Sequence, residues 1–228
     1  MNILDLTTIY AIPGEKVVKR ITHWTPRYII NRLAVMFYKD AQKEPLPMLA
    51  TGAIQFLDGW LTRQDRMFEY GSGYSTVWFA KRVGEIVSVE SDPKWYALVH
   101  RQIESYPNVR LYLIDSTENR TPLAHVSWDY VNRIKDFAPE SFDFILNDGY
   151  ARPIVASVAL DYLKPGGILA WDDWGNSYPV PKTHVPFAKQ TVSTVHPMVM
   201  DFLDLIKGWR RFVFDDGTHT TAFFVKPA

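Results

Sequence analysis

The segment from Arg66 to Asp92 constrains the fold more than any other part of the chain. A short apolar run ends at Glu69, the chain turns at Gly71-Ser72-Gly73, and a helical segment and a β-rich run follow, ending at Glu90. Strand, glycine turn, helix, strand and acid in succession predict a βαβ unit for a nucleotide-like ligand. Glycine lets the turn bend sharply and lets a ligand approach the backbone. Glu90 lies 17 residues after Gly73 and can accept both hydroxyls of a ribose.

Two departures from the dinucleotide-binding fingerprint indicate a cofactor other than NAD. The third glycine of that fingerprint is replaced by Thr76, and an acid precedes the turn. The run from Glu69 to Ser75 resembles the first motif of class I S-adenosylmethionine-dependent methyltransferases, with Ser75 in place of the third glycine. The resemblance extends from about Arg66 to the C-terminus, and it implies S-adenosyl-L-methionine as cofactor. The cofactor-binding residues that it implies are Glu69, Gly71, Ser72, Gly73, Ser75, Thr76, Glu90, Ser91, Asp115, Ser116 and Asp148.

The remaining pattern predicts the fold class. After the first unit, apolar runs end repeatedly in acids, and helical segments separate them. The predicted strands are Glu85–Val89, Val109–Ile114, Ser141–Leu146 and Ile168–Trp171, followed by a hairpin of Trp209–Phe214 and Thr220–Val225. The predicted helices are Tyr74–Val83, Pro93–Tyr106, one within Ala124–Phe137, one beginning at Arg152, and Pro197–Ile206. We therefore expect an α/β, Rossmann-like, seven-stranded methyltransferase sheet that ends in an antiparallel hairpin.

The N-terminal quarter lacks this pattern, and we predict a helical cap over residues 1–62 before a methyltransferase domain at 63–228. Pro26 can open a helix over Arg27–Asp40, and Pro47 can begin a second one that reaches about Leu61. Such a cap can bury core surface or cover the substrate as a lid, and both interpretations stay open. Its aromatic residues also suggest a homodimer contact.

Composition narrows the partners. Lys plus Arg and Asp plus Glu are equal at 25 each, so a nucleic-acid partner is not expected. The absence of cysteine excludes disulfides, iron–sulfur clusters and thiolate zinc sites. The sequence contains no long apolar run and no signal peptide, so we expect a cytoplasmic protein without membrane partners. Aromatic residues make up 14% of the chain and suit a pocket for flat or sugar-like ligands.

Asp115 and Ser116 follow the third strand of the predicted parallel sheet. In the methyltransferases that the chain resembles, an acid at this point accepts from the adenine amino group, and the next backbone contacts a ring nitrogen. Asp and Ser also occur at strand ends for backbone reasons alone, as turn or cap residues. We favour the adenine contact.

Asp148, Asp172 and Asp173 exceed what the cofactor needs. They follow the fourth and fifth strands and offer hard oxygen ligands for Mg²⁺, Mn²⁺ or Ca²⁺. Asp148-Gly149 and Asp172-Asp173 resemble the metal positions of macrocin- and aminocoumarin-type sugar O-methyltransferases, and catechol O-methyltransferases have a related set. Such an ion would hold two substrate oxygens and lower the pKa of one hydroxyl.

Other roles for the three acids stay open. Asp148 can pair with a neighbouring Lys or Arg, Asp172 can contact the cofactor's amino group, and Asp173 can cap the following loop. Tyr150 stands where the sugar enzymes have a further Asp proposed as base. We therefore predict Asp148 as a catalytic residue, with His184 in the polar segment 175–195 as candidate base.

These features together predict an S-adenosylmethionine-dependent O-methyltransferase that acts on a hydroxyl of a small sugar-bearing or polyol acceptor, with a divalent metal. Three alternatives remain: a metal-independent O- or N-methyltransferase, an aminopropyl transferase on the same fold, and a cofactor-binding subunit that activates a partner. Preference for decarboxylated cofactor would identify the second, and cofactor binding without turnover the third.

Overall fold

A computed structural model of the chain describes residues 5–12, 15–20, 26–40, 45–115, 127–178, 195–216 and 218–228. The elements within these residues are, in chain order, β1 (Asp5–Ile12), β2 (Glu15–Arg20), α1 (Pro26–Asp40), α2 (Thr51–Trp60), β3 (Arg66–Tyr70), α3 (Tyr74–Ala80), β4 (Glu85–Glu90), α4 (Pro93–Ile103), β5 (Val109–Leu113), α5 (Trp128–Asn132), β6 (Phe142–Asn147), α6 (Arg152–Ala159), β7 (Leu163–Trp171), α7 (Trp174–Ser177), α8 (Pro197–Leu205), β8 (Arg210–Asp215) and β9 (Thr220–Val225). Short 3₁₀ helices follow α5 and α6.

A seven-stranded sheet organises the chain, in the order β5-β4-β3-β6-β7-β9-β8. The strands β3 to β7 pair in parallel, whereas β9 pairs antiparallel with both β7 and β8. The predicted fold class is thereby confirmed, including the C-terminal hairpin. Because the carboxyl ends of parallel strands meet at one edge, the acids that follow β3 to β7 lie along the same rim of the sheet.

Helices cover both faces of the sheet, as the strands require. Successive residues of β3 point to opposite faces: Met67 packs with α2 and α3, and Phe68 packs with α5, α6 and α8. Each face carries its own apolar core, and Trp78, Phe79 and Phe144 belong to the first, while Trp171 and Phe202 belong to the second. The parallel strands read as near-continuous apolar runs because both of their faces are buried.

Helix α2 is fixed to the end of the sheet by a cap that is remote in sequence. Its N-cap residue Ala50 has no capping side chain. Instead, Asp216 Oδ2 accepts hydrogen bonds from the Thr51 amide (2.9 Å) and hydroxyl (2.8 Å). Burial alone would raise the pKa of Asp216, but backbone hydrogen bonds from His219, Thr51 and Thr218 lower it below its ordinary value. The N-terminal part of the chain is thus joined to the C-terminal hairpin.

The predicted helical cap at 1–62 requires a correction. The strands β1 and β2 form an antiparallel pair ahead of the two helices. The sequence carries the signal for it, since β-branched and aromatic residues flank Pro13-Gly14, a typical turn dipeptide. Helix α1 matches its prediction closely, but α2 begins at Thr51 rather than near Pro47.

Two further boundaries differ from expectation. The strand predicted at Ile168–Trp171 begins earlier, at Leu163, and the pairing of β7 with β6 is irregular between Phe142 and Phe144. Gly166, at φ +77°, accommodates this irregularity. The predicted unstructured segment 175–195 begins within helix α7, and its residues 179–194 lie outside the described part of the chain. Among the described helices, none has the length and apolar character needed to cross a membrane.

Candidate active site at the carboxyl edge of the sheet

The glycine turn after β3 owes its shape to Gly71. Its φ of +88° lies in the left-handed region that favours glycine. A Cβ at Gly71 would also lie 2.9 Å from the backbone of Gly149, so the turns after β3 and β6 are in direct contact. Gly73 is extended and has ordinary space around its Cα, where a Cβ would find only Ser75 and Trp95 at 3.8 Å. The first glycine is therefore required by the fold, whereas the second is buried and donates its amide to the Thr76 hydroxyl at 2.9 Å.

Glu69 lies beneath the turn and is completely buried. Its Oε1 accepts from the Ser75 hydroxyl (2.6 Å), and its Oε2 accepts from the hydroxyls of Thr76 (2.5 Å) and Ser88 (2.6 Å). Burial raises the pKa of Glu69 to about 7, although these hydrogen bonds lower it. Because both oxygens are occupied, Glu69, Ser75 and Thr76 support the turn from below. Ser75, in place of a glycine, is one of the donors that hold the acid.

Glu90 lies at the end of β4, beside the glycine turn. Its Oε2 accepts from the Ser72 amide (3.1 Å) and hydroxyl (2.8 Å). Its Oε1 accepts from the amides of Ser91 (2.7 Å) and Asp92 (2.9 Å). The carboxylate is thus held against the turn by neutral donors, and the Ser72 hydroxyl is a mobile donor that a ribose hydroxyl can replace.

Asp115 follows β5 on the same rim, because the Ile114 amide donates to the Glu90 carbonyl at 2.8 Å. Its side chain is half-buried. Ser116 lies outside the described residues, as does His184. The adenine contact and the candidate base therefore stay predictions.

The rim continues at the ends of β6 and β7. The Asp148 amide donates to the Tyr70 carbonyl at 3.0 Å, which sets the end of β6 beside the glycine turn. The Asp172 amide donates to the Asn147 carbonyl at 3.2 Å, which places the end of β7 next to it. The acids predicted from the two strand ends are therefore brought together.

Arg152, at the start of α6, lies between two of these acids. Its Nη2 donates to Asp148 Oδ1 at 2.9 Å and to the Asp148 carbonyl at 3.1 Å. Its Nη1 is 3.4 Å from Asp173 Oδ2. Burial would lower the pKa of Arg152, but the surrounding carboxylates raise it, so the guanidinium stays charged. Among the alternatives open from the sequence, the pairing of Asp148 with a neighbouring Arg is the one that the structure contains.

Asp172 is buried and bound on its other side. The Thr221 hydroxyl donates to Asp172 Oδ1 at 2.8 Å, and the Ala50 amide donates to the Thr221 oxygen at 3.0 Å. Asp172 also makes a side-chain hydrogen bond with Asp148. Two carboxyl groups share a hydrogen bond only when one of them carries a proton.

Burial, together with the charges of Asp148 and Asp173, raises the pKa of Asp172 well above its ordinary value. Burial also raises the pKa of Asp148, but the charge of Arg152 lowers it, and the pKa of Asp148 is about 6. Asp148 thus lies between the carboxyl group of Asp172 and the guanidinium of Arg152.

The three acids do not fit a divalent metal as they are arranged. Within the described residues, no three acidic or histidine side chains come together as a set of metal ligands. Asp148 and Asp173 are paired with Arg152, and Asp172 Oδ1 already accepts from the Thr221 hydroxyl. The predicted metal role of Asp148, Asp172 and Asp173 is therefore not supported, because a guanidinium supplies the positive charge.

Two residues of the site were not singled out from the sequence. Arg152 follows Asp148 by four residues at the start of a helix, a spacing that brings the two side chains together. Tyr130 of α5 is fully buried, and its hydroxyl has no hydrogen-bond partner among the described residues. That hydroxyl lies against Gly149, where a Cβ would collide with it. No local pattern in the sequence indicates this contact.

No family model matches the chain, and no curated protein does either. Solved structures do. A candidate caffeoyl-CoA O-methyltransferase from Staphylococcus aureus aligns at a TM-score of 0.54 and 14% identity, covering 89% of this chain and 92% of that one. A methyltransferase-like protein from Silicibacter pomeroyi aligns at 0.52 and 19%, covering 82% and 91%.

A candidate methyltransferase from Streptococcus mutans, solved in complex with S-adenosylhomocysteine, aligns at a TM-score of 0.50 and 13% identity. It covers 75% of this chain and 94% of that one. Identities this low establish architecture and leave chemistry to be argued from the residues. The chain has the Rossmann-like fold of S-adenosylmethionine-dependent methyltransferases.

Proposed function

We propose that the protein transfers a methyl group from S-adenosylmethionine to a hydroxyl of a small acceptor, of the sugar-bearing or polyol kind. One observation carries the proposal: the glycine turn with Glu90 and the ionised Asp148 lie next to one another on one rim of a methyltransferase sheet. The glycine turn and Glu90 suit the nucleoside part of the cofactor, and Asp148 suits the acceptor.

Each residue of the site has its own proposed role. Glu90 would accept the ribose hydroxyls, the glycine turn beside it would lie against the cofactor, and Asp115 with Ser116 would bind adenine. Bound S-adenosylmethionine supplies an electrophilic methyl group. Asp148 would take the proton of the acceptor hydroxyl, while an oxygen lone pair forms the new C–O bond and the C–S electrons leave with the neutral thioether.

A divalent ion takes no part in this account, because the acids are paired as described above. The proposal therefore favours the metal-independent alternative. Arg152 donates to Asp148 Oδ1 and lowers the pKa of Asp148 against the effect of burial. A carboxylate with a pKa near 6 is ionised at pH 7 and can still accept a proton as a general base.

The test is formation of S-adenosylhomocysteine with a panel of acceptors: polyols, glycosides, catechols and primary amines, each with and without EDTA. We expect turnover with a hydroxylated acceptor, unaffected by EDTA and lost in Asp148→Asn, which still binds the cofactor. Turnover only with amines would move the proposal to N-methylation. Use of decarboxylated cofactor in preference to the intact one would establish aminopropyl transfer, and binding without any turnover would indicate a non-catalytic subunit.

A further inference from the structure

We propose that Arg152 is the built-in cation of the acceptor end of this site, in the position predicted for a divalent metal. The role of this cation in methyl transfer rests on the proposed function, but the ion pairs of Arg152 are present whatever the acceptor is. Arg152 is a positioning residue: it fixes the orientation and the charge of Asp148, which would contact the acceptor.

The guanidinium is held on both of its terminal nitrogens. Nη2 reaches the side chain and the carbonyl of Asp148, and Nη1 reaches Asp173. The side chain of Arg152 is 22% exposed, and that of Asp148 is 23% exposed. An ion pair with little solvent around it is screened far less than a surface pair, so it can orient its members.

The backbone of Arg152 is fixed as well. Asn147, which is completely buried, donates from its side-chain amide to the Arg152 carbonyl at 2.9 Å. Ala151, directly before Arg152, has a φ of +55°, and Asp173 has a φ of +53°. Such conformations are costly for residues other than glycine, and they persist where the surrounding structure imposes them. Both residues border the same ion pair, so the surrounding structure fixes the backbone on either side of it.

Guanidinium is well suited to replace a metal here. It is planar, permanently charged and able to bridge carboxylates through separate N–H groups. Unlike a hydrated divalent ion, it cannot dissociate, so Asp148 stays paired whether or not a cofactor is bound. The consequence is a methyl-transfer site whose charge balance is complete without an added ion.

The decisive experiment is calorimetric titration of Mn²⁺ into the whole protein. Wild type should show no saturable binding in the low millimolar range. Arg152→Ala removes the cation and leaves the carboxylates uncompensated, so it should show saturable Mn²⁺ binding in that range. The gain should disappear in Arg152→Ala/Asp173→Asn and should be absent in Arg152→Lys, which keeps a positive charge.

The matched control is Arg133→Ala, which breaks a 2.9 Å ion pair with Asp136 in the 3₁₀ helix after α5 and leaves Arg152 in place. It should leave Mn²⁺ binding as in wild type. Arg152→Lys also guards against a folding defect in the alanine variant. Saturable Mn²⁺ binding by wild type that Asp173→Asn weakens would overturn the proposal, and so would an Arg152→Ala variant that gains no binding.

Rescue of turnover is a second measurement, and it would not respond if Arg152 only stabilised the fold. Exogenous guanidinium should restore part of the activity lost in Arg152→Ala and should do nothing for Asp148→Asn. Failure of the proposed function is distinguishable from failure of this inference, because Mn²⁺ titration needs neither cofactor nor acceptor. If wild type binds no S-adenosylmethionine, the function fails while the titration still decides the role of Arg152.

Discussion

The two halves of the rim hold their carboxylates in different ways. On the β3–β4 side, Glu69 and Glu90 are held by hydroxyl and amide donors, all of them uncharged. On the β6–β7 side, Asp148 and Asp173 are held by a guanidinium, and Asp148 also makes a side-chain hydrogen bond with Asp172. The first half is a set of local hydrogen bonds, whereas the second is one electrostatic network.

This difference teaches how each half should respond to change. We call the β3–β4 side the cofactor half and the β6–β7 side the acceptor half, after the ligands proposed for them. Neutral donors act independently of one another, so a substitution in the cofactor half should have a local effect. In the acceptor half, each member sets the charge of the others, so a single substitution should alter ion binding, protonation and orientation together. The largest effect on stability is expected at the contact that joins the two halves.

The junction between the halves is the contact of Gly71 with Gly149, backed by the Tyr130 hydroxyl. Gly149→Ala places a methyl group against this hydroxyl and should lower the free energy of unfolding by about 3 kcal/mol. Tyr130→Phe removes a buried hydroxyl that has no partner among the described residues, so alone it should be close to neutral. The double variant should recover part of the loss in urea unfolding. Equal midpoints for Gly149→Ala and wild type would contradict the contact.

In the cofactor half, the buried Glu69 should make the stability of the fold depend on pH. The folded pKa of Glu69 is about 7, against 4.5 for an ordinary glutamate, so between these values the folded state binds more protons than the unfolded one. Stability should therefore fall as pH rises from 4.5 to 7, by up to about 3 kcal/mol from this residue. Other buried acids add to the slope, so the measured quantity is the difference between wild type and Glu69→Gln in urea unfolding. A difference that does not change with pH would refute the assignment.

The acceptor half is linked to α2 through Thr221. Thr221→Val removes the hydroxyl between Asp172 and the Ala50 amide and leaves a buried N–H without a partner. The expected loss in the free energy of unfolding is about 1 to 2 kcal/mol. Thr221→Ser keeps the hydroxyl and should lose less. If Thr221→Val has the same urea midpoint as wild type, the two hydrogen bonds of this hydroxyl do not stabilise the fold.

The cofactor half could be predicted from sequence because its partners are close together in the chain. Glu69 binds Ser75, Thr76 and Ser88, and all of these lie within one βαβ unit whose spacing is diagnostic. The sheet could also be predicted, because each strand ends in an acid or a turn. The helical reading of the N-terminal segment missed the strand pair β1–β2, although its turn signal was present.

The acceptor half could be predicted only in part. Sequence placed Asp148, Asp172 and Asp173 at one rim but could not say what lies between them. A metal and a guanidinium satisfy the same carboxylates, and the choice depends on the direction that the Arg152 side chain takes from α6. Thr221 and Ala50 meet Asp172 from positions far away in the chain, and no local pattern reports contacts of that kind.

The most direct test of the account is calorimetric binding of S-adenosylmethionine to wild type and to Glu90→Gln. Glu85→Gln is the matched control, because the same residue type lies on the same strand at the opposite end. The account predicts binding by wild type and by the control, and binding about a hundredfold weaker for Glu90→Gln, the loss expected when hydrogen bonds to a charged group are removed. Equal affinity in all three proteins, or no binding by wild type, would contradict it.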